Sequence, residues 1–284
     1  MNILKFLEGL RTESLNRIFE YITMFGEEIL MVLIIAILWF AIDKKFAQKM
    51  FFITVASLSI NSIIKNFTKI PRPFATGELT CVRPETATGY SFPSGHTQNF
   101  STWSTVVGLK IRKLWFWLII AILIPLVAFS RLYLGAHYPS DVIVGAMLGI
   151  IFAFIGNIIF EKVSNTRVLY SGMAIILTPF IIFFMLYPDP LFEDLYKFYG
   201  MIIGLYLAIC FEEKYAPIDY NVPAWKRTVR VIGGILIAFC INELIIVPHD
   251  IKLWLIFLIE IIKHLLLVFV LLGVYPFIFK KCNI

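Results

Sequence analysis

Long runs of apolar residues constrain this chain more than any other feature of its sequence. Within a bilayer only helices and closed barrels satisfy every backbone polar group, and a helix needs about 17 to 25 mostly apolar residues to cross. Such runs lie at 28–42, 47–64, 97–110, 113–130, 141–160, 168–187, 196–212, 230–247 and 253–279. They predict an all-α fold, a polytopic transmembrane helical bundle of about nine spans. The third run is the weakest, because it begins with polar residues.

The composition agrees with a membrane protein. Of the 284 residues, 60% are hydrophobic and 15% are charged, whereas soluble domains have about 45–50% apolar and about 25% charged residues. The net charge of +6 therefore indicates basic cytoplasmic loops rather than a nucleic-acid partner. The four cysteines are scattered along the chain and predict neither a disulfide framework nor a metal site.

The N-terminal segment differs from the other apolar segments. Between residues 3 and 22, apolar side chains recur at helical spacing with charges between them, which is typical of a helix lying in the membrane interface. We therefore predict an amphipathic interfacial helix at residues 1–25. Residues 26–165 are predicted to form a core that carries the polar motifs, and residues 166–284 additional transmembrane helices of unassigned role.

Loop charges predict the orientation in the membrane. Lysines and arginines follow the first, third, fifth and seventh runs, and cytoplasmic loops are the ones enriched in these residues. The even-numbered loops then face the extracytoplasmic side, where cations are expected to be scarce. Two of these loops nevertheless carry cations, at Lys65, Lys69, Arg72, Arg83 and Arg131. These charges require another explanation.

Three short polar motifs lie in those two loops. The second loop contains Lys65, followed after six residues by Arg72-Pro73, and later Pro93-Ser94-Gly95-His96. The fourth loop contains Ser130-Arg131, then His137 after five residues and Asp141 after three more. Because an even number of crossings separates the two loops, the motifs meet the same face of the membrane. We expect them to converge on one site.

The cations of these motifs suit a phosphate group. Arg72 and Arg131 carry guanidinium forks that match tetrahedral oxyanions, and Lys65 adds a third positive charge. Ser94 and Gly95 precede a predicted helix, where free backbone N–H groups and the helix dipole attract an anion. Together these residues predict a phosphate cradle.

The two histidines of the motifs supply the groups that phosphoryl transfer requires. One imidazole can attack phosphorus while the other protonates the leaving oxygen. Asp141 lies four residues after His137, close enough to accept the second ring N–H and to orient the ring. No acidic cluster or set of histidines and cysteines lies nearby to hold a metal, so we predict no metal and no other cofactor.

In this order the three motifs resemble the signature motifs of the type-2 phosphatidic acid phosphatase superfamily, and they match at every defining position. That group includes lipid phosphate phosphatases, undecaprenyl pyrophosphate phosphatases, glucose-6-phosphatase and vanadium haloperoxidases. The resemblance covers residues of about 28–160. It implies metal-independent hydrolysis in which His137 forms a phosphohistidine, His96 is the general acid and Asp141 orients His137. The phosphate-binding residues that it implies are Lys65, Arg72, Ser94, Gly95 and Arg131.

The resulting hypothesis is an integral membrane phosphatase of a bacterial cytoplasmic membrane, with an active site that faces outward. Its substrate is expected to be a lipid phosphate or lipid pyrophosphate, and its other partners the membrane lipids, with no nucleic acid. The sequence carries no signal for an oligomeric state. A sugar-phosphate phosphatase similar to glucose-6-phosphatase is an alternative within the same chemistry. A membrane phosphotransferase and a lipid transporter are alternatives of other classes.

Ionisable residues in the last two runs belong to none of the motifs. Glu243 lies in the eighth run, and Glu260, Lys263 and His264 lie in the ninth. Ionisable groups are costly inside a membrane and often functional, which favours a substrate or transport role. The simpler interpretation is a structural pair, because Lys263 and His264 follow Glu260 at helical spacing.

Overall fold

A computed structural model of the protein describes residues 1–248 and 251–282, and these residues form helices and no strand. This confirms the all-α prediction. The α-helices are α1 (Asn2–Gly9), α2 (Glu13–Met24), α3 (Glu28–Ile37), α4 (Lys44–Thr68), α5 (Gly95–Ile111), α6 (Leu114–Tyr133), α7 (Pro139–Lys162), α8 (Thr166–Leu186), α9 (Glu193–Tyr215), α10 (Ala224–Leu244), α11 (Leu253–Phe269) and α12 (Tyr275–Cys282). Turns of 3-10 helix lie at Pro73–Thr76, Pro84–Thr86 and Pro190–Phe192, and π-helical turns at Leu38–Ile42 and Val270–Val274.

Within the described residues, six helical segments are long and apolar enough to cross a membrane: Lys44–Thr76, Leu114–Tyr133, Pro139–Lys162, Thr166–Leu186, Pro190–Tyr215 and Leu253–Phe279. A seventh crossing is counted if Glu13–Met24 and Glu28–Ile42, which meet at a 45° bend, form one span. A helix lies at each of the nine predicted runs, but α5 has only 17 residues and α10 carries several basic ones. The polytopic bundle is found, and the count of nine spans stays a prediction.

The chain forms two compact units. The first comprises Met1–Met31 and Ala56–Ile158, and the second comprises Val32–Val55 and Ile159–Ile284. The division of the sequence at residues 25 and 165 has different boundaries and stays a prediction. All three polar motifs lie in the first unit.

In the second unit α9 packs against both α8 and α11. Gly200 and Gly204 allow the close contact with α11, because a methyl group at either position would collide with backbone carbonyl groups of that helix. On α11, Nδ1 of His264 lies 3.2 Å from Oε2 of Glu260. This contact within one helical turn supports the structural interpretation of Glu260.

A seam of polar side chains joins α4 and α5 in the first unit. Gln98 on α5 accepts a hydrogen bond from the Asn61 side chain (2.7 Å) and donates one to the Ser57 carbonyl oxygen (2.8 Å). The hydroxyl groups of Ser57 and Thr102 lie 2.9 Å apart. The seam explains why α5 is the weakest apolar run, since its amide and hydroxyl groups face a neighbouring helix.

The predicted N-terminal amphipathic helix is divided into two helices. The Thr12 hydroxyl accepts a hydrogen bond from the Leu15 N–H (3.3 Å) and so begins α2 anew after the end of α1. Between the helices, Nε of Arg11 donates to the carbonyl oxygen of Tyr133 at the end of α6 (3.0 Å). The location of this segment in the membrane interface stays a prediction.

Two glycines let α7 approach the start of α5 closely. A methyl group at Gly145 would lie 2.7 Å from the Ser94 carbonyl oxygen, and one at Gly149 would lie 2.6 Å from that of Gln98. Both distances are too short for a carbon–oxygen contact, so this packing requires small residues four positions apart. The contact fixes the first turns of α5 against α7.

We expect Gly149→Ala to destabilise the protein by about 1–3 kcal/mol, because the added methyl group must push α7 away from α5. Thermal unfolding of the purified protein in detergent measures this loss. Gly172→Ala in α8 is the matched control, since a methyl group there meets no atom within 4 Å. Equal melting temperatures for the two variants would contradict the close packing of α5 and α7.

Candidate active site

The loop between α6 and α7 brings His137 next to Asp141. Gly135, with a φ of +78°, makes the turn after α6, and Pro139 begins α7. Oδ2 of Asp141 accepts a hydrogen bond from the Tyr138 N–H (2.9 Å) and lies 3.3 Å from Nδ1 of His137. Both side chains are 1% exposed. The imidazole and the carboxylate are therefore held together in a buried environment.

Arg72 determines which nitrogen of His137 carries the proton. Its guanidinium donates to the carbonyl oxygens of Gly89 (2.9 Å), Ala136 (3.1 Å) and Thr88, and Nη1 also lies 2.9 Å from Nε2 of His137. An arginine can only donate, so Nε2 is the acceptor and the proton of a neutral imidazole sits on Nδ1. That proton points to Asp141, and the lone pair of Nε2 points to the guanidinium.

The surroundings of His137 favour its neutral form. Burial lowers the pKa of this imidazole well below its usual value, and the positive charges of Arg72, Arg131 and Lys65 lower it further. A depressed pKa means that the ring stays uncharged as the pH falls through the ordinary range of a histidine. The imidazole of His137 is therefore neutral near neutral pH, with an unprotonated Nε2.

Arg131 is fully buried and only partly hydrogen-bonded. Its Nη1 donates to Oγ1 of Thr23 (2.8 Å), whereas Nε and Nη2 have no partner among the described residues. Buried N–H groups of a guanidinium are rarely left without an acceptor. A bound oxyanion would provide the missing acceptors.

The N-terminus of α5 lies against the His137 loop. The Ser94 N–H donates to the carbonyl oxygen of Asp141 (3.0 Å), and the Ser94 hydroxyl caps the Thr97 N–H (3.4 Å). The N–H groups of Gly95 and His96 follow in the first helical turn, where no intrahelical acceptor is available. The buried Nε2 of His96 has no hydrogen-bond partner within the described part of the chain.

Lys65 and the loop after α4 complete the set of predicted residues. Nζ of Lys65 donates to the carbonyl oxygen of Tyr90 (2.7 Å), one residue before Ser91. Lys65 and Arg72 are 6% and 5% exposed. Two predicted phosphate ligands are thus buried in contact with the loop that leads into α5.

Two residues of the site were missed by the sequence analysis. The Ser91 hydroxyl donates to Oδ2 of Asp141 (2.5 Å), and Thr23 accepts the hydrogen bond from Arg131. Ser91 lies three residues before Ser94, and its closeness to that motif could have indicated that it belongs to the site. No motif indicated Thr23, which belongs to the N-terminal helices.

The site residues include no arrangement for a resident metal ion. Among residues 1–248 and 251–282, no group of three or more His, Cys, Asp or Glu side chains could hold one. The prediction of a reaction without metal is tested by chelation, as described below.

Family comparisons agree with the motifs. The model of the PAP2 superfamily matches residues 46–165, and the model described as PAP2 superfamily phosphatase, transmembrane extension, matches residues 196–284. The two matches together cover more than half of the chain.

Several curated proteins are similar to this chain. The undecaprenyl-diphosphatase of Sulfolobus acidocaldarius is 29% identical over 150 residues, which cover 52% of this chain and 72% of that protein. Undecaprenyl-diphosphatase BcrC of Bacillus subtilis is 36% identical over 36% of this chain and 51% of its own length. Phosphatidylglycerophosphatase B of the same bacterium is 32% identical over 30% of this chain and 49% of its own length. The chain spans about half the length of these last two relatives.

A solved structure also matches. The crystal structure of a transmembrane PAP2-type phosphatidylglycerolphosphate phosphatase from Bacillus subtilis has a TM-score of 0.48 and 24% sequence identity, and it covers 58% of this chain and 85% of its own. The family models and the curated relatives carry the assignment. With its apolar helices and the matched transmembrane extension, the chain belongs to the PAP2 superfamily and is a membrane phosphatase of that superfamily.

Proposed function

We propose that this protein hydrolyses a lipid phosphate or lipid diphosphate at the extracytoplasmic face of a bacterial cytoplasmic membrane, through a phosphohistidine on His137 and without a metal ion. The observation that carries the proposal is the protonation and hydrogen bonding of the His137 ring. Its Nε2 is unprotonated and its lone pair accepts from Arg72 until the substrate phosphate displaces that contact, its Nδ1–H faces Asp141, and its lowered pKa keeps the ring neutral.

In the proposed first step the lone pair of Nε2 attacks phosphorus, and the bond between phosphorus and the leaving oxygen breaks. Asp141 balances the positive charge that develops on the ring through its contact with Nδ1. Burial and the neighbouring cations lower the pKa of His96, but the negative charge of the bound phosphate favours its imidazolium form, which donates its Nε2 proton to the departing oxygen. The guanidinium groups of Arg72 and Arg131, with Lys65, stabilise the negative charge on the transferred phosphoryl group.

In the second step water breaks the phosphohistidine. His96, now without its Nε2 proton, accepts a proton from water as the oxygen attacks phosphorus. The bond between phosphorus and Nε2 breaks, the electron pair returns to the imidazole, and inorganic phosphate leaves. Both histidines are back in their starting states.

A lipid substrate fits the surroundings of the site. The site lies where α6 ends and α7 begins, and both helices expose large apolar side chains near this point, among them Phe129, Ile143 and Met147. A hydrocarbon tail can lie against such surfaces while its phosphate enters the cationic site. The names of two similar proteins make a polyprenyl diphosphate the first substrate to test.

A substrate panel in detergent tests the function. We expect purified protein to release inorganic phosphate from undecaprenyl diphosphate, phosphatidylglycerol phosphate or phosphatidic acid at the same rate with and without EDTA. Preference for glucose-6-phosphate would favour the sugar-phosphate alternative, and release that needs an added acceptor would favour a transferase. Loss of activity in EDTA that added magnesium restores would contradict the proposed mechanism.

A further inference from the structure

The N-terminal helices contribute a residue to the site from outside the matched family segments. Thr23 lies on the last turn of α2, is 0% exposed, and accepts a hydrogen bond from Nη1 of Arg131 at 2.8 Å. It is separated from Arg131 by 108 positions in the sequence. The family match begins at residue 46 and leaves Thr23 out.

The atom of Arg131 that Thr23 binds determines which edge of the guanidinium faces the site. A guanidinium presents its N–H groups in a fixed planar fork, and Nε and Nη2 form one edge on which two hydrogens point the same way. These are the two nitrogens without a partner among the described residues. Binding of Nη1 by the threonine leaves this edge for a bidentate contact with two oxygens of one phosphate.

The position of Thr23 is itself fixed by neighbouring contacts. Nδ2 of Asn99 on α5 donates to the carbonyl oxygen of Gly26 (3.0 Å), just after α2. A methyl group at Gly26 would lie 2.7 Å from the carbonyl oxygen of His96, so the chain is in close contact with α5 at this point. The end of α2 is thus held beside the turn that contains His96.

We propose that Thr23 is a positioning residue that orients Arg131 so that its Nε–Nη2 edge receives the substrate phosphate. Thr23 does not touch the substrate in this proposal and acts only through Arg131. The proposal rests on the proposed function for its catalytic consequence, whereas its consequence for phosphate binding is independent of turnover.

Thr23→Val tests the proposal, because valine keeps the shape of threonine and removes the oxygen. We expect it to weaken binding of inorganic phosphate and of orthovanadate by about 10-fold, the effect of losing a hydrogen bond to a charged group. Isothermal titration of the full-length protein in detergent measures both affinities. Thr23→Ser keeps the hydroxyl and is expected to bind phosphate within about 2-fold of the wild type.

Thr54→Val is the matched control. The Thr54 hydroxyl is also buried, but it has no hydrogen-bond partner among the described residues. Thr54→Val makes the same change of side chain as Thr23→Val but does not affect Arg131. It should leave the affinity for phosphate unchanged. Equal affinity in the wild type and in Thr23→Val overturns the proposal, as does a Thr23→Ser variant as weak as Thr23→Val.

Measurements of turnover distinguish a failure of this proposal from a failure of the proposed function. If the wild type binds phosphate but releases none from any substrate of the panel, the proposed function fails and the affinities still decide the role of Thr23. If the wild type is active, Thr23→Val should raise KM for the phosphate substrate, which a loss of folded protein does not change, and Thr23→Ser should restore it. A fall in kcat alone, with KM and phosphate affinity unchanged, contradicts the proposal.

Discussion

Replacement of His137 by alanine is expected to lower phosphate release by about 10⁴-fold or more, because the proposed reaction has no other group to form the covalent bond to phosphorus. Phosphate release from the best substrate of the panel measures the loss. His264→Ala is the matched control, since His264 pairs with Glu260 in the second unit and is expected to be dispensable for the reaction.

Radiolabelled substrate identifies the role of each histidine. The wild type, stopped during turnover in alkaline detergent that preserves phosphohistidine, should carry label on the protein, and His137→Ala should carry none. In His96→Ala the rate at which label first appears on the protein should fall by about 10²- to 10⁴-fold with a lipid substrate but less with p-nitrophenyl phosphate, whose leaving group departs without a proton. Label on His137→Ala, or equal losses of His96→Ala with both substrates, would contradict the assigned roles.

The second large effect is expected from Arg131→Lys, with a fall in kcat/KM of about 10²- to 10³-fold. The positive charge is kept, but an ammonium group cannot replace a planar fork that contacts Thr23 with one nitrogen and offers two others to phosphate. Steady-state kinetics with the lipid substrate measure the fall.

An exposed arginine provides the control for this substitution. Arg17 pairs with Glu13 on the surface of α2, where its side chain is 69% exposed, and Arg17→Lys should leave kcat/KM unchanged. Near-wild-type activity of Arg131→Lys would show that charge alone suffices and would contradict a bidentate contact.

Local patterns predicted the helices well, because apolar runs report burial in lipid or in the bundle along one segment of chain. Such patterns are less informative where a short signal or a partner helix decides the outcome. The N-terminal segment is divided at Thr12, whose hydroxyl group caps the start of α2. In α5, polar side chains are buried against α4, so mean hydropathy underestimates the burial of this helix.

The same distinction applies to the site. His137 and Asp141 lie one helical turn apart, so their contact could be predicted from spacing. Ser91 and Thr23 reach their partners across 50 and 108 positions. Hydroxyl residues are common, and no local pattern distinguishes these two from the others. Contacts of this kind depend on how the helices pack, which the spacing of residues in one segment does not determine.

The polar seam between α4 and α5 also has a consequence for insertion of the protein into the membrane. Lipid tails cannot accept or donate hydrogen bonds, so α5 alone, with the side chain of Gln98 unpaired, has no favourable position in the bilayer core. Its partners Asn61 and Ser57 lie on α4, which is synthesised earlier. We therefore expect α4 and α5 to insert into the bilayer together as a helical pair, and not one after the other as independent helices.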